Sequence, residues 1–258
     1  MSRHIDFEGI ENFRDFGGYD AGGGRGLKRG VLFRSANHAR ATDADLAALR
    51  DLGVGVIVDL RRPIERQREP SRRWPGFDGL VIENDDGAGY EDWADALKLV
   101  EELGADWFHQ DSLGFYHEAP YQPRHIDLFS RYFRALADVD GAIVVHCAAG
   151  KDRTGILCAL TQHLAGVHRD DILSDYMLTN DEQRIARRMV TFSAFLQDMT
   201  GKVVADDVLR AALSVRPEYL ERAFARIDAE HGSLERYLAG PLGLDAAARA
   251  RIEAKILA

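Results

Sequence analysis

Two stretches of the chain, at positions 54–60 and 142–145, are almost continuously apolar and rich in β-branched residues. Such runs are typical of strands that are buried on both faces of a parallel sheet. A shorter apolar run at 79–83 predicts a further strand. The pattern therefore predicts a mostly parallel sheet at the centre of the fold.

The N-terminal part combines a hairpin pattern with a helix pattern. Glycines at 22–26 separate two stretches, 12–19 and 27–33, that we expect to pair as a β-hairpin. A capping-box pattern that begins at Thr42 then predicts a helix over 43–52.

The middle of the chain mixes helical and irregular patterns. Apolar residues recur at helical spacing in 91–103 and predict an amphipathic helix, whereas the aromatic-rich stretch 106–123 predicts a loop. We interpret about 88–120 as an inserted helical lid, with an ordinary surface excursion as the alternative. Pro123 suits the first turn of the next helix. The apolar face of that helix is Ile126, Phe129, Phe133 and Leu136.

Beyond Gly166 the pattern is helical, and about 167–258 is expected to form a helical extension. Predicted helices begin near 170, 216 and 233 and also cover 182–199 and 205–213. Alternating strands and helices predict an α/β fold in which the central sheet carries helices on both faces. No internal repeat or linker divides the chain, so we expect a single domain over residues 1–258.

Composition and charge narrow the classes of function. A chain with 46% hydrophobic and 29% charged residues is typical of a globular protein, and the net charge of −9 argues against a general nucleic-acid binder. We expect no integral membrane segment, and the N-terminus lacks the apolar core of a signal peptide. The expected location is the cytoplasm, with secretion without a signal peptide left open. Two cysteines form no disulfide scaffold, and nine histidines show no paired ligand spacing, so no metal or other cofactor is expected.

The pattern that carries most chemistry lies between the 142–145 run and a helix-forming run at 156–164. Cys147 and Arg153 are separated here by five residues, and Thr154 follows. Such a loop can wrap a tetrahedral anion, because its backbone N–H groups, the helix N-terminus and the arginine fork all favour negative charge. The same field favours a thiolate, since a free thiol pKa of about 8.5 falls to roughly 3.5–7.5 in such surroundings. The alternative is a buried cysteine beside a surface arginine.

The loop also resembles a known signature, the His-Cys-x5-Arg-Ser/Thr loop of the cysteine-dependent protein tyrosine phosphatases. The matching residues are His146-Cys147-Ala148-Ala149-Gly150-Lys151-Asp152-Arg153-Thr154-Gly155. Their Gly-Lys-Asp-Arg-Thr-Gly ending is similar to a bacterial subfamily of tyrosine and dual-specificity phosphatases, some of which also act on phosphoinositides. The resemblance covers roughly residues 10–240, including segments at 12–19, 32–36, 56–61, 175–180 and 217–234. It implies a protein tyrosine phosphatase-like fold and one phosphatase domain.

The resemblance implies hydrolysis of a phosphomonoester in two steps, through a cysteinyl-phosphate on Cys147. Arg153 and the loop amides would hold the phosphate oxygens. Thr154 would donate its hydroxyl to the sulfur, and His146 would order the loop. The loop amides belong to Ala148, Ala149, Gly150 and Lys151.

Three aspartates are candidates for the general acid that protonates the leaving oxygen. Asp152 resembles the residue proposed as the acid in the bacterial subgroup, and we favour it slightly. Asp85 matches the acid-loop position of smaller dual-specificity enzymes. Asp59, at the end of a predicted strand, is the third candidate.

Several cations are candidates for substrate binding. Lys151 lies beside Arg153 and resembles the lysine of lipid phosphatases that accept multiply charged inositol headgroups; a solvent-facing lysine that stabilises the loop is the alternative. Arg61 follows a predicted strand and is expected to point toward the phosphate site. The resemblance implies that Arg34 lines the site as well, although a solvated strand end is equally consistent for Arg34. The arginines of 61–73 alternate with acids, which favours a solvated, ion-paired face over a rim for polyanionic substrates.

The expected substrates are phosphotyrosine proteins, with phosphoserine, phosphothreonine and phosphoinositides as further substrates. Inorganic phosphate is expected as product and inhibitor, and nucleic acid is not expected as a partner. One alternative is an inositol polyphosphate phosphatase. Another is a phosphate-recognition module with little turnover. Cys158 is expected to be a core residue, and a redox role beside Cys147 stays open.

Overall fold

The computed structural model describes residues 3–86 and 93–258. A sheet lies at the centre of this part of the chain, in the order β1-β2-β5-β3-β4, with β1 antiparallel and the other neighbours parallel. Its strands are β1 (Arg14–Asp15), β2 (Leu32–Ser35), β3 (Val54–Asp59), β4 (Leu80–Ile82) and β5 (Ala142–His146). The prediction of a mostly parallel central sheet is therefore confirmed.

Helices make up most of the remaining described chain. Those before the central strand β5 are α1 (Asp43–Asp51), α2 (Pro63–Arg68), α3 (Trp93–Leu99), α4 (Ala105–Glu118) and α5 (Pro123–Asp138). Those after it are α6 (Asp152–Leu164), α7 (Arg169–Met177), α8 (Glu182–Thr200), α9 (Asp206–Leu213), α10 (Pro217–His231), α11 (Leu234–Ala239) and α12 (Ala246–Ile256). Short 3-10 turns follow α4, at Ala119–Tyr121, and α7, at Leu178–Asn180. None of these described helices combines the length and apolar character needed to cross a bilayer.

Successive side chains along a strand point alternately into two hydrophobic cores, one on each face of the sheet. Val56, Val58 and Val145 lie in the larger core with residues of α5, α6 and α10. Ile57 and Val144 point to the opposite face, where they pack with residues of α1. Helices therefore cover both faces of the sheet, as predicted for the α/β class.

The parallel strands bring three polar side chains to one edge of the sheet. His146, at the end of β5, lies opposite Ser35 of β2 on one side and opposite Asp59 of β3 on the other. Since ligands of open α/β folds gather at the carboxyl ends of strands, this edge is where a site is expected. The candidate loop begins immediately after His146.

The segment predicted as a loop at 106–123 is mostly helical, because α4 occupies 105–118. Its aromatic residues do follow a helical repeat: Phe108 and Tyr116, two turns apart, are its buried side chains. A third apolar cluster joins α3 and α4 to α8 and α9, with Leu97, Phe108 and Leu196 among its members. The predicted lid at about 88–120 thus contains α3 and α4, and residues 88–92 of that prediction lie outside the described residues.

The C-terminal helix α12 lies within the predicted helical extension, although no separate helix was predicted over its residues. Its buried residues Ile252 and Ile256 lie in the larger core. Just beyond it, Leu257 forms a bridge with Leu27, so the chain end is tied to the segment that leads into β2.

Candidate active site

The loop between β5 and α6 adopts a conformation that requires glycine at position 150. Gly150 has φ of +65°, and a Cβ on it would lie 2.3 Å from the carbonyl oxygen of Ser35. Any other residue would therefore clash and be strained. Cys147 lies at the base of the loop and is buried. Because α6 begins at Asp152, its N-terminus adds the positive end of the helix dipole to the loop.

Side chains from outside the loop hold its carbonyl oxygens. Asn12 donates from Nδ2 to the carbonyls of Ala149 at 3.2 Å and Gly150 at 2.9 Å. Asn37 donates from both its backbone N and its Nδ2 to the carbonyl of Ala148, at 3.1 and 3.2 Å. With these carbonyls engaged outside the loop, its amides are left for an anion.

Arg153 is fixed by a carboxylate that the sequence analysis did not single out. Its Nη1 and Nη2 donate to the two carboxylate oxygens of Glu65, at 2.6 and 2.7 Å. Nη1 also donates to the carbonyl of Leu60 at 3.2 Å. Burial opposes ionisation of Glu65, but the Arg153 charge outweighs it and lowers the Glu65 pKa to about 2. The guanidinium is therefore held as a planar fork at the edge of the loop.

The position of Glu65 has a partial signal in the sequence. It is the third residue of α2, and its Oε2 also accepts from the backbone N of Arg62 at 2.7 Å, as in a capping box. The capping pattern can be recognised from residues that are neighbours in sequence. The pairing of Glu65 with Arg153 joins distant segments and has no such local signal.

Asp152, the favoured acid candidate, lies at the mouth of the loop and is partly exposed. Tyr116 of α4 donates from its hydroxyl to Asp152 Oδ1 at 3.0 Å and lies 2.6 Å from the hydroxyl of Tyr176. Burial, and next the Asp152 charge, raises the pKa of Tyr116 well above its usual value, so its proton is retained. Sequence reasoning missed Tyr116, since α4 was expected to be a loop.

The other two acid candidates lie in contrasting places. The Asp85 side chain is 88% exposed and pairs with Arg66. Asp59 is buried, and its two oxygens accept from Nε and Nη2 of Arg61 at 2.9 and 2.8 Å. Burial would raise the Asp59 pKa, but the charge and the hydrogen bonds of Arg61 hold it well below its usual value. A carboxyl that stays ionised has no proton to give at neutral pH, which argues against Asp59 as the acid.

Two arginines expected to line the phosphate site lie inside the protein, which corrects that expectation. Arg34 donates from Nη1 to Asp175 at 3.1 Å and from Nη2 to the carbonyl of Gly150 at 3.0 Å. Arg61, besides its pair with Asp59, donates to the carbonyl of Glu69 at 2.6 Å. Each of these two arginines forms a buried ion pair with an aspartate instead of facing solvent at a strand end. The solvated face predicted for 61–73 is corrected at Arg61 for the same reason.

Lys151 contacts the end of α9. Its Nζ donates to the carbonyls of Ala212 at 2.5 Å and Ser214 at 3.4 Å and lies 3.7 Å from Asp152 Oδ2. A cation at the C-terminus of a helix is favoured by the helix dipole. Lys151 therefore ties the loop to α9 in this structure.

His146 and Thr154 flank the loop at its two ends. His146 is buried, its ring stacks on that of His38 at 4.5 Å, and its Nδ1 lies 3.4 Å from the carbonyl of Cys147. Burial lowers the His146 pKa, which favours the neutral ring. The buried Thr154 hydroxyl has no hydrogen-bond partner among the described residues.

Cys158 lies within α6 and is fully buried. Burial raises the pKa of its thiol to about 12, so Cys158 stays protonated. A thiol in this state is a poor nucleophile, which fits a core residue.

Comparison with known proteins agrees with this geometry. Residues 5–258 match the model of the tyrosine phosphatase family. A Cupriavidus necator chain, provisionally named a tyrosine-protein phosphatase, is 35% identical over 96% of this chain and 87% of its own. The triple specificity protein phosphatase PtpB of Mycobacterium tuberculosis is 31% identical over 90% of this chain and 92% of its own. A tyrosine-protein phosphatase of Nostoc commune is 33% identical over 58% of this chain and 48% of its own. The chain belongs to the tyrosine phosphatase family and is a phosphatase.

Proposed function

We propose that this member of the tyrosine phosphatase family hydrolyses phosphotyrosine through a covalent phosphate on Cys147. The observation that carries the proposal is the pairing of Arg153 with Glu65 at the edge of the cysteine loop. A guanidinium held by two bonds presents its remaining edge to phosphate oxygens in one orientation. The buried cysteine lies at the base of the same loop.

In the first step the Cys147 thiolate attacks phosphorus in line, and the bond to the leaving oxygen breaks. Asp152 gives its proton to that oxygen, with the Tyr116 hydroxyl holding the carboxyl in place. In the second step water attacks the cysteinyl-phosphate and gives a proton to the Asp152 carboxylate, the S–P bond breaks, and inorganic phosphate and the Cys147 thiolate are released. Thr154 donates its buried hydroxyl to the departing sulfur. The loop amides and Arg153 stabilise the equatorial oxygens in both transition states.

The substrate range proposed here extends to phosphoserine, phosphothreonine and phosphoinositides. One relative is named a triple specificity protein phosphatase, which supports breadth in a closely similar chain. Lys151 supports the phosphoinositide activity, because its charge lies two residues before Arg153. In the structure its Nζ binds the end of α9, so a second substrate phosphate has to replace the carbonyl of Ala212.

Two other functions are weaker alternatives. An inositol polyphosphate phosphatase would use the same loop and the same lysine. A recognition module with little turnover would not need both the cysteine and the arginine, and both are present in this loop.

The test measures phosphate release by the purified protein from a phosphotyrosine peptide, a phosphoserine peptide and a phosphoinositide panel. Cys147→Ser is assayed in parallel and is expected to abolish release from every substrate. Release from the phosphotyrosine peptide above all others supports the proposal. Binding of phosphate or vanadate without release from any substrate would favour the recognition module.

A further inference from the structure

Two arginines lie face to face inside the protein, beneath the phosphate loop. Arg14 of β1 and Arg34 of β2 are directly opposite each other in the antiparallel register. Both side chains are buried, with exposures of 0% and 1%. Like charges directly opposite each other on paired strands destabilise a sheet, and buried charges cost more than exposed ones. A strand pair with only a structural role is therefore not expected to place two buried arginines opposite each other.

A single carboxylate, that of Asp175 on α7, is shared between them. Arg34 Nη1 lies 3.1 Å from Asp175 Oδ2, and Arg14 Nε lies 3.7 Å from Asp175 Oδ1. Arg14 also donates from Nη2 to the carbonyl of Asp175 at 3.0 Å. In the described part of the chain no other carboxylate forms an ion pair with either arginine. Two guanidinium groups and one carboxylate leave one positive charge in the interior.

That charge is connected to the loop at two points. Arg34 Nη2 donates to the carbonyl of Gly150 at 3.0 Å. Arg14 Nη1 donates to Asn12 Oδ1 at 2.6 Å, and Asn12 in turn donates to the same Gly150 carbonyl. A Cβ on Gly155 would lie 3.6 Å from Arg34 Nη2, so the guanidinium lies against the first turn of α6. The excess charge thus lies on the inner side of the loop that the substrate phosphate approaches from outside.

We propose that Arg14, Arg34 and Asp175 form a buried cluster whose excess positive charge stabilises the thiolate of Cys147 and the phosphate bound above it. The three are positioning residues, since they act through the loop and do not touch substrate. The proposal deepens, and rests on, the proposed function at the same loop. Functional sites are where proteins tolerate such costly charge arrangements.

Other charged groups near Cys147 and the cluster have to stay constant in the test. Around the loop these groups are His146, Asp59, Lys151, Asp152, Arg153 and Glu65. Around the cluster they are His4, Tyr19, Tyr116, Tyr176 and Cys158. Burial, and next the Arg14 charge, lowers the His4 pKa, whereas burial raises the pKa of the other four, which retain their protons. Burial, and then Arg34, lowers the Arg14 pKa to about 9, so Arg14 remains charged at neutral pH.

The test measures the rate at which iodoacetamide alkylates Cys147 as a function of pH, with the modified peptide identified by mass. Arg34→Met should move the midpoint upward by about one pH unit, a tenfold fall in the thiolate-to-thiol ratio near neutral pH. Arg14→Met should shift it in the same direction while the Arg34 bond to Gly150 remains. Arg34→Lys keeps the charge and should return the midpoint close to that of the wild type.

A matched control removes an ion-paired arginine at the opposite end of α6. Arg249 of α12 donates to Glu253 Oε1 at 2.9 Å, pairs with Glu235 and donates to the carbonyl of Leu164 at 3.4 Å. Arg249→Met should leave the alkylation midpoint unchanged. Asp175→Asn removes the negative charge and should move the midpoint downward, opposite to Arg34→Met, in any preparation that folds.

The outcomes separate the cluster from the proposed function. Equal upward shifts in Arg34→Met and Arg34→Lys would show that the hydrogen bond, and not the charge, matters and would overturn the proposal. An unchanged midpoint in both methionine variants would overturn it too. Because the readout is alkylation and not turnover, these results do not depend on phosphatase activity. A wild-type protein that shows the expected alkylation midpoint but releases no phosphate would instead count against the proposed catalytic function.

Discussion

Two cations of the same loop, Arg153 and Lys151, are equally exposed at 13% but are held in different ways. On the α2 side Arg153 is fixed by a carboxylate through two short bonds. On the α9 side Lys151 binds neutral backbone carbonyls at 2.5 and 3.4 Å. A charged, bidentate partner fixes both the position and the orientation of the Arg153 guanidinium. Backbone carbonyls leave the Lys151 ammonium as a point charge that an incoming anion can bind. We therefore expect the α2 side to set the chemistry and the α9 side to set which substrates gain from it.

The largest expected effect tests the fork on the α2 side. Arg153→Lys keeps the charge but loses one of the two parallel bonds to phosphate and to Glu65. We expect kcat on a phosphotyrosine peptide to fall by about 10³-fold, the cost of losing a preorganised oxyanion donor. Steady-state kinetics measure it, with circular dichroism to confirm folding. A loss below tenfold would mean that charge alone suffices on this side.

The acid comes next, because Asp152 lies between the two sides. Asp152→Asn should slow hydrolysis of an alkyl phosphate by about 10²-fold, since its poor leaving group needs the proton. An aryl phosphate with a good leaving group should lose far less. Comparing kcat for the two substrates checks this prediction, and equal losses would remove Asp152 from the acid role.

A smaller effect is expected from the carboxylate that orients Arg153. Glu65→Gln keeps a capping side chain but removes the charge, and kcat should fall by about tenfold to 10²-fold through misplacement of the fork. Glu83→Gln is the matched control, because Glu83 pairs with Arg66 and Arg73 on the surface and should leave kcat unchanged.

Glu65→Gln should also change how the stability of the fold depends on pH. The folded Glu65 pKa of about 2 lies below its ordinary value of 4.5, so its pair stabilises the fold above pH 4.5. That stabilisation, about 3 kcal/mol, is lost as the pH falls from 4.5 toward 2. Urea unfolding should therefore show a steeper acid loss of stability in the wild type than in Glu65→Gln. Parallel curves would contradict the tight pair.

The smallest expected effect concerns the α9 side. Lys151→Ala should lower phosphoinositide turnover by several-fold to about tenfold while changing phosphotyrosine turnover little, because only the former offers a second phosphate. Lys202→Ala is the control, since Lys202 binds the carbonyl of Val100, away from the loop. An unchanged ratio of the two activities in Lys151→Ala would assign the lysine to loop stability alone.

Local signals predicted the scaffold of this site well. The apolar runs gave β3 and β5 within a residue or so, and the capping box at Thr42 is present with both its bonds. These features depend on neighbours in sequence. The loop itself was predicted because its spacing and its flanking strand and helix are also local.

Long-range partners could not be predicted in the same way. Arg34 follows the predicted strand and looked available to solvent, but it turns inward because Asp175, far along the chain, offers a buried carboxylate. Glu65 looked like part of a solvated face, although Arg153 binds it. Tyr116 was hidden because its helix was expected to be a loop. In each case tertiary contacts determined where the side chain went.

The central claim is the covalent phosphate on Cys147, and rapid-quench trapping with a phosphotyrosine substrate tests it most directly. The acid-quenched protein should carry a phosphate on the peptide that contains Cys147, formed before the first turnover ends and absent in Cys147→Ser. Product formation with no trapped phosphate, together with persistent turnover in Cys147→Ser, would contradict the account.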